Sequence, residues 1–165
     1  MQKNSDPGSV KSASLRAYWY LIPIAAIVIL DEWLKSMALQ RLPEEGSLVD
    51  PGILTFAIHK NWGVAFDIPF RLEFIILISL LIGIGLLRIA YKNRLSHPDI
   101  TLATATIVLG ALGNLYDRVV YGFTVDYIIL FTRSAINLSD VVIVLGVIAL
   151  LLRSRRSRRL TEEEK

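Results

Sequence analysis

Two aspartates, Asp126 and Asp140, lie in apolar stretches with no basic residue within four positions of either one. An ionised carboxylate is costly in such surroundings, so the group is usually paired, capped or used in chemistry. Two carboxylates held close together share one proton, because like charges at short range cannot both ionise. One then activates water as a base, while the other polarises a carbonyl or protonates the leaving amine. This is aspartyl-protease chemistry; the local alternative is two satisfied polar residues, with Asp140 as a helix N-cap.

Further polar residues precede Asp140 at helical spacing. Asn114, Asp117 and Arg118 fall at positions i, i+3 and i+4, so they share one face of a helix. Arg118 is close enough in sequence to neutralise Asp117. The group is therefore either a polar helix end whose side chains pair with one another, or it presents Asn114 and Arg118 to a substrate. Asn137 lies three residues before Asp140 and shares its face.

A charged pair lies inside the first apolar segment. Asp31 and Lys35 are four residues apart, a spacing at which two side chains meet on one helix face. The pair is either a salt bridge that carries both charges into apolar surroundings or a direct support for the site.

The elements that must position these residues are four apolar segments, 17–39, 70–91, 100–120 and 136–152. Crossing the ~30 Å hydrocarbon core takes about 20 mostly apolar residues. The chain is 53% hydrophobic and 20% charged, against about 45–50% and 25% in soluble domains. We therefore predict one domain, an all-α polytopic membrane protein with four transmembrane helices. The fourth segment is short, and we expect it to borrow a turn from the preceding FTRSA.

The first segment shares a basic leader and an apolar run with secretory signal peptides. However, no small-x-small cleavage site ends that run, which continues into DEWLKSMAL. We predict a retained helix.

The basic residues set the predicted orientation. Three segments hold 12 of the 18 basic residues: 1–16, 88–94 at the end of the second span and into the connector, and 153–165. Four spans put all three segments on one side, which the positive-inside rule makes cytoplasmic. The 40–69 loop and the 118–135 connector then face outward, with the candidate site. A Pro-Gly turn and partly alternating β-branched and aromatic residues in the 40–69 loop predict a small extracytoplasmic β element.

Composition also argues against several other kinds of site. The chain has no cysteine, and its two histidines lie in different segments, so we expect no metal and no cofactor. The basic C-terminal segment is short and lacks an accompanying basic, aromatic-bearing domain. We therefore interpret it as a topology anchor that contacts anionic lipid, without nucleic-acid binding.

Two other kinds of function remain open at this point. A proton-linked transporter would place carboxylates near mid-membrane and would often carry an internal repeat, which we do not find. A membrane scaffold would use its polar residues for helix association. The sequence leaves the oligomeric state open.

Five stretches carry a resemblance to a known family. They are DEWLK at 31–35, NWGVAF at 61–66, GALGNLYDR at 110–118, GFTVDYI at 122–128 and INLSD at 136–140. In this order they resemble bacterial lipoprotein signal peptidase, signal peptidase II. The resemblance implies a metal-free aspartyl endopeptidase of the bacterial inner membrane, with both termini cytoplasmic and its site near the outer face. Such an enzyme cleaves diacylglyceryl-modified prolipoproteins before the lipidated cysteine and is blocked by the cyclic peptide globomycin.

The resemblance also implies roles for individual residues. Asp126 and Asp140 would be the catalytic pair, and Asp117 would be structural, paired with Arg118. The residues implied to bind substrate or inhibitor, or to support the site, are Asp31, Lys35, Asn61, Gly63, Asn114, Asp117, Arg118 and Asn137. Trp62 is either a lid over the substrate or an ordinary residue of the aromatic belt.

Three departures from the family pattern stand out. Ile136 and Ser139 replace the usual Phe and Ala before Asp140, and Ser139 brings a hydroxyl that could hydrogen-bond the Asp140 carboxylate. Glu32 stands where the family favours Gln. The FTRSA connector is shorter than is common in the family, which bears on substrate contacts of the outer loop.

Overall fold

Helices follow the four apolar segments, and a small sheet lies between them in sequence. The structure is a computed structural model that describes residues 18–47, 53–63, 68, 70–131 and 134–163, with Ser47 and residues 154–163 described by backbone only. The helices are α1 (Leu21–Arg41), α2 (Leu72–Asn93), α3 (Pro98–Val120) and α4 (Leu138–Glu163). The strands are β1 (Leu54–Asn61), β2 (Thr124–Leu130) and β3 (Ser134–Ile136), and a 3-10 turn covers Glu45–Ser47.

Two helices in the described part of the chain, α2 and α3, are long and apolar enough to cross a membrane. Helix α1 has 21 residues but carries Asp31, Glu32 and Lys35. Helix α4 has Asp140 in its first turn and arginines from position 153 onward. These charges are the reason that length and composition identify only two of the four predicted spans.

Helix α3 begins and ends at residues that suit its two ends. Pro98 stands at the first helical position, where its missing N–H is no loss, and Asp99 lies in the first turn. At the other end Gly122 has a φ of +84°, and its N–H donates to the Arg118 carbonyl at 3.2 Å. Glycine adopts this left-handed conformation at little cost. The chain can therefore turn directly from α3 into β2.

The sheet is antiparallel with strand order β1-β2-β3. Strand β1 lies in the 40–69 loop, where the sequence predicts a β element. Strands β2 and β3 lie in the connector between the last two spans, where the sequence analysis assigned no secondary structure. The sequence TVDYIIL lacks clear alternation because β2 is buried on both faces.

The start of α4 differs from the sequence expectation. FTRSA adds no turn to this helix, because Ser134–Ile136 is a strand and the helix begins at Leu138. Instead, α4 extends at its other end, through the basic segment to Glu163.

Helix α3 packs against each of the other three helices. It approaches α4 closely at Gly110, where a Cβ atom would lie 2.7 Å from the Ser139 carbonyl oxygen. The end of α1 packs on the sheet, where Ala38, Ile58, Val125 and Tyr127 form a small buried cluster. The polar ends of α3 and α4 are thus held beside β2.

Candidate active site

Asp126 and Asp140 face one cavity. Asp126 lies within β2 and is 1% exposed, while Asp140 is the third residue of α4. A cavity of about 410 Å³ is lined by both carboxylates and by polar residues from β1 and α3. The two aspartates singled out in the sequence therefore come together because β2 and α4 both pack against α3.

Each of the four carboxylate oxygens accepts a hydrogen bond from a neutral donor. For Asp126, the Asn61 and Asn137 amides donate to Oδ2 at 3.1 Å and to Oδ1 at 2.7 Å. For Asp140, the Asn114 amide donates to Oδ1 at 2.7 Å and the Asn137 main-chain N–H donates to Oδ2 at 3.2 Å. Asn137 therefore contacts both carboxylates and ties them together.

The environment of Asp126 favours its neutral form. Burial, the largest cause, and the negative charge of Asp140 together raise the pKa of this carboxyl from 3.8 to about 7, against smaller lowering effects of the Asn61 and Asn137 hydrogen bonds. A carboxyl that keeps its proton near neutral pH beside a second carboxyl can share that proton with it.

The start of α4 is a capping box. The Asp140 N–H donates to the Asn137 side-chain oxygen at 2.9 Å, and the Asn137 N–H donates back to the Asp140 carboxylate. The local alternative that Asp140 is itself the N-cap is wrong, since that position belongs to Asn137. The cap therefore holds the Asp140 side chain against the helix end.

Asp31 caps the same helix from α1. Its Oδ1 accepts from the Leu138 N–H at 3.0 Å and its Oδ2 from the Ser139 N–H at 3.2 Å. It also accepts from the Tyr127 hydroxyl at 2.8 Å. Asp31 also forms a salt bridge with Lys35 at 3.0 Å. The two interpretations of Asp31, as a salt-bridge partner and as a support for the site, therefore each describe some of its contacts.

Asp117 pairs with Lys35 and not with Arg118. Its Oδ2 lies 2.8 Å from the Lys35 Nζ and accepts from the Val125 N–H at 3.1 Å. Adjacent residues on a helix point about 100° apart, so Arg118 faces elsewhere. This corrects the expected Asp117–Arg118 pair.

Arg118 links α3 to the end of β1. Its guanidinium donates to the Gly63 carbonyl at 3.1 Å and to the Asn114 carbonyl at 3.2 Å. The Gly63 N–H donates to the Asn61 side-chain oxygen at 3.1 Å. The Asn61 amide is thereby turned so that its NH2 group faces Asp126.

Trp62 is 57% exposed, and its ring centroid lies 4.8 Å from that of Phe123. Residues 64–66 of NWGVAF fall outside the described part of the chain. The lid interpretation of Trp62 therefore stays a prediction.

Ser139 does not hydrogen-bond Asp140 through its hydroxyl. The Ser139 Oγ is buried and has no hydrogen-bond partner among the described residues. It is the Ser139 main-chain N–H that takes part in the site, by donating to Asp31.

Sequence reasoning missed two contacts near the site. Glu32 lies 3.1 Å from Lys35, and its i, i+3 spacing to that lysine could have indicated this. The Tyr127 hydroxyl bond to Asp31 spans 96 residues and has no local signal. Among the described residues, no cluster of three His, Cys, Asp or Glu side chains could hold a metal ion.

Known proteins resemble this chain over most of its length. A family model described as signal peptidase (SPase) II matches residues 23–156. The lipoprotein signal peptidase of Syntrophomonas wolfei subsp. wolfei is 40% identical over 127 residues, covering 76% of this chain and 85% of the relative. That of Synechococcus sp. (strain RCC307) is 35% identical over 149 residues, covering 87% and 98%. A bacterial membrane enzyme solved by the in meso method at 2.3 Å resolution has a similar fold, with a TM-score of 0.73 and 28% identity, covering 83% of this chain and 88% of the other. These matches confirm the resemblance found in the sequence, and the chain belongs to the signal peptidase II family.

Proposed function

We propose that this protein is a membrane aspartyl endopeptidase that removes the signal peptide from diacylglyceryl-modified prolipoproteins. It cleaves on the N-terminal side of the lipidated cysteine. Family membership supports a peptidase that processes lipoproteins. The observation that carries the aspartyl mechanism is that Asp126 and Asp140 line one cavity and share Asn137 as a hydrogen-bond donor.

In the proposed mechanism the two aspartates hold one proton between them. The ionised carboxylate takes a proton from a water molecule as that water attacks the scissile carbonyl carbon. The protonated partner donates to the carbonyl oxygen as the tetrahedral intermediate forms. The carboxyl that took the proton from water then donates it to the leaving amine, and the C–N bond breaks. One hydroxyl of the intermediate returns its proton to the other carboxylate, so the pair again holds one proton. The raised pKa of Asp126, about 7, supports a shared proton at neutral pH.

The amides prepare this geometry before substrate binds. Asn61, Asn114 and Asn137 are neutral donors, so they orient the carboxylates without fixing a full negative charge on both. Arg118 lines the same cavity and supplies a positive charge beside the reacting groups. Preorganised donors of this kind need little rearrangement during the reaction.

We further propose that all four helices span the bacterial inner membrane with both termini cytoplasmic. In α1 the charged Asp31 and Lys35 are fully buried and paired, which removes the main objection to that helix as a span. The 12 basic residues of the three cytoplasmic segments support the orientation. The dyad then lies near the outer face, where water and lipid meet.

An apolar groove supports the proposal that the substrate arrives from membrane lipid. It has a volume of about 300 Å³, runs between α2 and α3, and shares Ile143 with the dyad cavity. Acyl chains or the signal-peptide helix of a prolipoprotein fit such a surface. A globomycin-type cyclic peptide would inhibit by occupying the dyad cavity.

The test is cleavage of a defined substrate. Purified protein in detergent receives a diacylglyceryl-modified prolipoprotein, with the same prolipoprotein lacking the lipid as the matched control. We expect a gel shift for the modified substrate only, with mass spectrometry placing the new N-terminus at the lipidated cysteine. No cleavage by the folded protein would reject the proposal. Ion or proton flux in liposomes would then favour a transporter, and capture of an assembly partner a scaffold.

A further inference from the structure

Lys35 is a fully buried charged residue that hydrogen-bonds neither member of the dyad. Its side chain is 0% exposed. Its ammonium lies near three carboxylates, Asp31 at 3.0 Å, Asp117 at 2.8 Å and Glu32 at 3.1 Å. It also donates to the Asn114 side-chain oxygen at 3.3 Å. Burying an ammonium is costly, so this network needs a reason.

One branch of the network leads to Asp140. Asp31, the first partner of Lys35, accepts hydrogen bonds from the main-chain N–H groups of Leu138 and Ser139. These are the first two residues of α4, and Asp140 is the third. The position of Lys35 therefore fixes where the first turn of this helix begins.

A second branch leads to Asp126. Asp117, the second partner of Lys35, accepts from the Val125 main-chain N–H. Val125 is 0% exposed and directly precedes Asp126 in β2. The same ammonium thus holds the backbone of both elements that carry the dyad.

A third branch orients an amide. The Asn114 side-chain oxygen accepts from Lys35 and from the Asn137 amide at 3.1 Å. Its NH2 group is therefore turned to donate to Asp140 at 2.7 Å. An ammonium has only donors, so it excludes the flipped amide orientation.

We propose that Lys35 is a positioning residue that sets the separation of Asp126 and Asp140. The inference rests on the proposed function, because it gives those two aspartates their role in cleavage. Lys35 acts through Asp31, Asp117 and Asn114 and touches no reacting atom. Glu32, its remaining partner, hydrogen-bonds neither dyad-bearing element.

The carboxylates around Lys35 provide a matched comparison. Asp31→Asn and Glu32→Gln each replace one carboxyl group beside the same ammonium by a similar-sized amide, so each removes one ionisable partner of Lys35. Only Asp31→Asn turns an NH2 group toward a main-chain N–H of α4. We expect kcat to fall about ten- to hundred-fold in Asp31→Asn, as for a misplacement of about 1 Å. We expect KM to change less than about two-fold, because the substrate surface is intact.

The same fall in kcat is expected for Lys35→Met, whereas Glu32→Gln keeps the parent kcat. If Lys35→Met fails to fold, the comparison of Asp31→Asn with Glu32→Gln carries the test alone. The pH–rate profile separates positioning from a loss of folded protein. If Asp126 and Asp140 move apart, their carboxylates repel each other less and the shared proton is lost at lower pH. The alkaline limb of the pH–rate profile should therefore lie at lower pH for Asp31→Asn than for Glu32→Gln. Partial unfolding would instead lower the rate by one factor at every pH.

Four outcomes decide the matter. The positioning role is supported if Asp31→Asn has a lower kcat and a shifted alkaline limb while Glu32→Gln behaves like the parent. An equal kcat in Asp31→Asn and the parent overturns the positioning role. Cleavage of the modified prolipoprotein by the parent protein would still support the proposed function in that case. An equal loss of kcat in Asp31→Asn and Glu32→Gln also overturns the positioning role, because the loss of any carboxyl group beside Lys35 would then explain the effect. No cleavage by the folded parent rejects the proposed function and the positioning role with it.

Discussion

Replacing Gly110 by alanine should separate α3 from α4 at the dyad. The new Cβ would lie 2.7 Å from the Ser139 carbonyl oxygen, whereas ordinary contact begins at 3.4 Å. The main-chain oxygen cannot rotate away, so the helices must move apart by the difference of about 0.7 Å. Overpacking of this kind costs about 1–3 kcal/mol, and the gain in helix propensity returns about 1 kcal/mol. We expect a net loss of stability of about 0–2 kcal/mol.

The effect on cleavage should exceed the effect on stability. Asn114 lies one turn after Gly110, and its amide donates to Asp140 at 2.7 Å. A shift of about 0.7 Å along that bond would lengthen it to about 3.4 Å, beyond the usual range of an N–H···O hydrogen bond. We expect kcat to fall at least about ten-fold.

Gly85→Ala is the matched control, because nothing lies within 4 Å of a Cβ placed there on α2. Thermal unfolding in detergent and cleavage of a lipid-modified prolipoprotein are measured on both variants. A parental cleavage rate in Gly110→Ala, or an equal loss of activity in Gly85→Ala, would show that the close contact at Gly110 does not position the dyad.

Other predictions concern individual contacts of the site. The folded protein holds the Asp126 proton up to about pH 7, whereas the unfolded chain releases it near 3.8. This contribution to stability is therefore full below 3.8 and is lost as the pH rises to about 7, and Asp126→Asn should flatten that slope in thermal unfolding at pH 5 and pH 8. Asn137→Ala removes the side-chain donor to Asp126 and the α4 cap, while the main-chain N–H of residue 137 can still donate to Asp140, so we expect cleavage to fall about hundred-fold or more and stability by about 0.5–2 kcal/mol. Tyr127→Phe loses the 2.8 Å bond to Asp31 and should cost about 0.5–1.5 kcal/mol in chemical denaturation. Lys60→Met breaks an exposed pair with Glu44 and a cation–π contact with Phe123, neither of which involves a dyad residue, and its cleavage rate should equal that of the parent.

The features that could be predicted from sequence are those with a local signal. Apolar runs of about 20 residues mark the helices, and a β element in the 40–69 loop follows from a Pro-Gly turn and alternating side chains. The isolation of Asp126 and Asp140 from basic residues singled them out. The capping box of Asn137 with Asp140 also has a local signal, the three-residue spacing, although the sequence did not distinguish its two ends.

The features that could not be predicted depend on contacts between distant parts of the chain. Strand β2 is covered on both faces, so its sequence lacks the period of a half-buried strand. Asp117 meets Lys35 from another helix, and no pattern within α3 could have indicated that partner. The cap that Asp31 provides spans 107 residues to Leu138. Such partners are set by helix packing, which a single sequence does not specify.

The central claim is that Asp126 and Asp140 act together in cleavage. The most direct measurement is the cleavage rate of Asp126→Asn and Asp140→Asn on the diacylglyceryl-modified prolipoprotein, with folding checked by thermal unfolding. Asp99→Asn is the matched control, because Asp99 pairs with Arg153 at the opposite end of α3. We predict cleavage by the parent and by Asp99→Asn, and none by either dyad variant. Cleavage that survives in a folded Asp126→Asn or Asp140→Asn protein would contradict the two-aspartate mechanism.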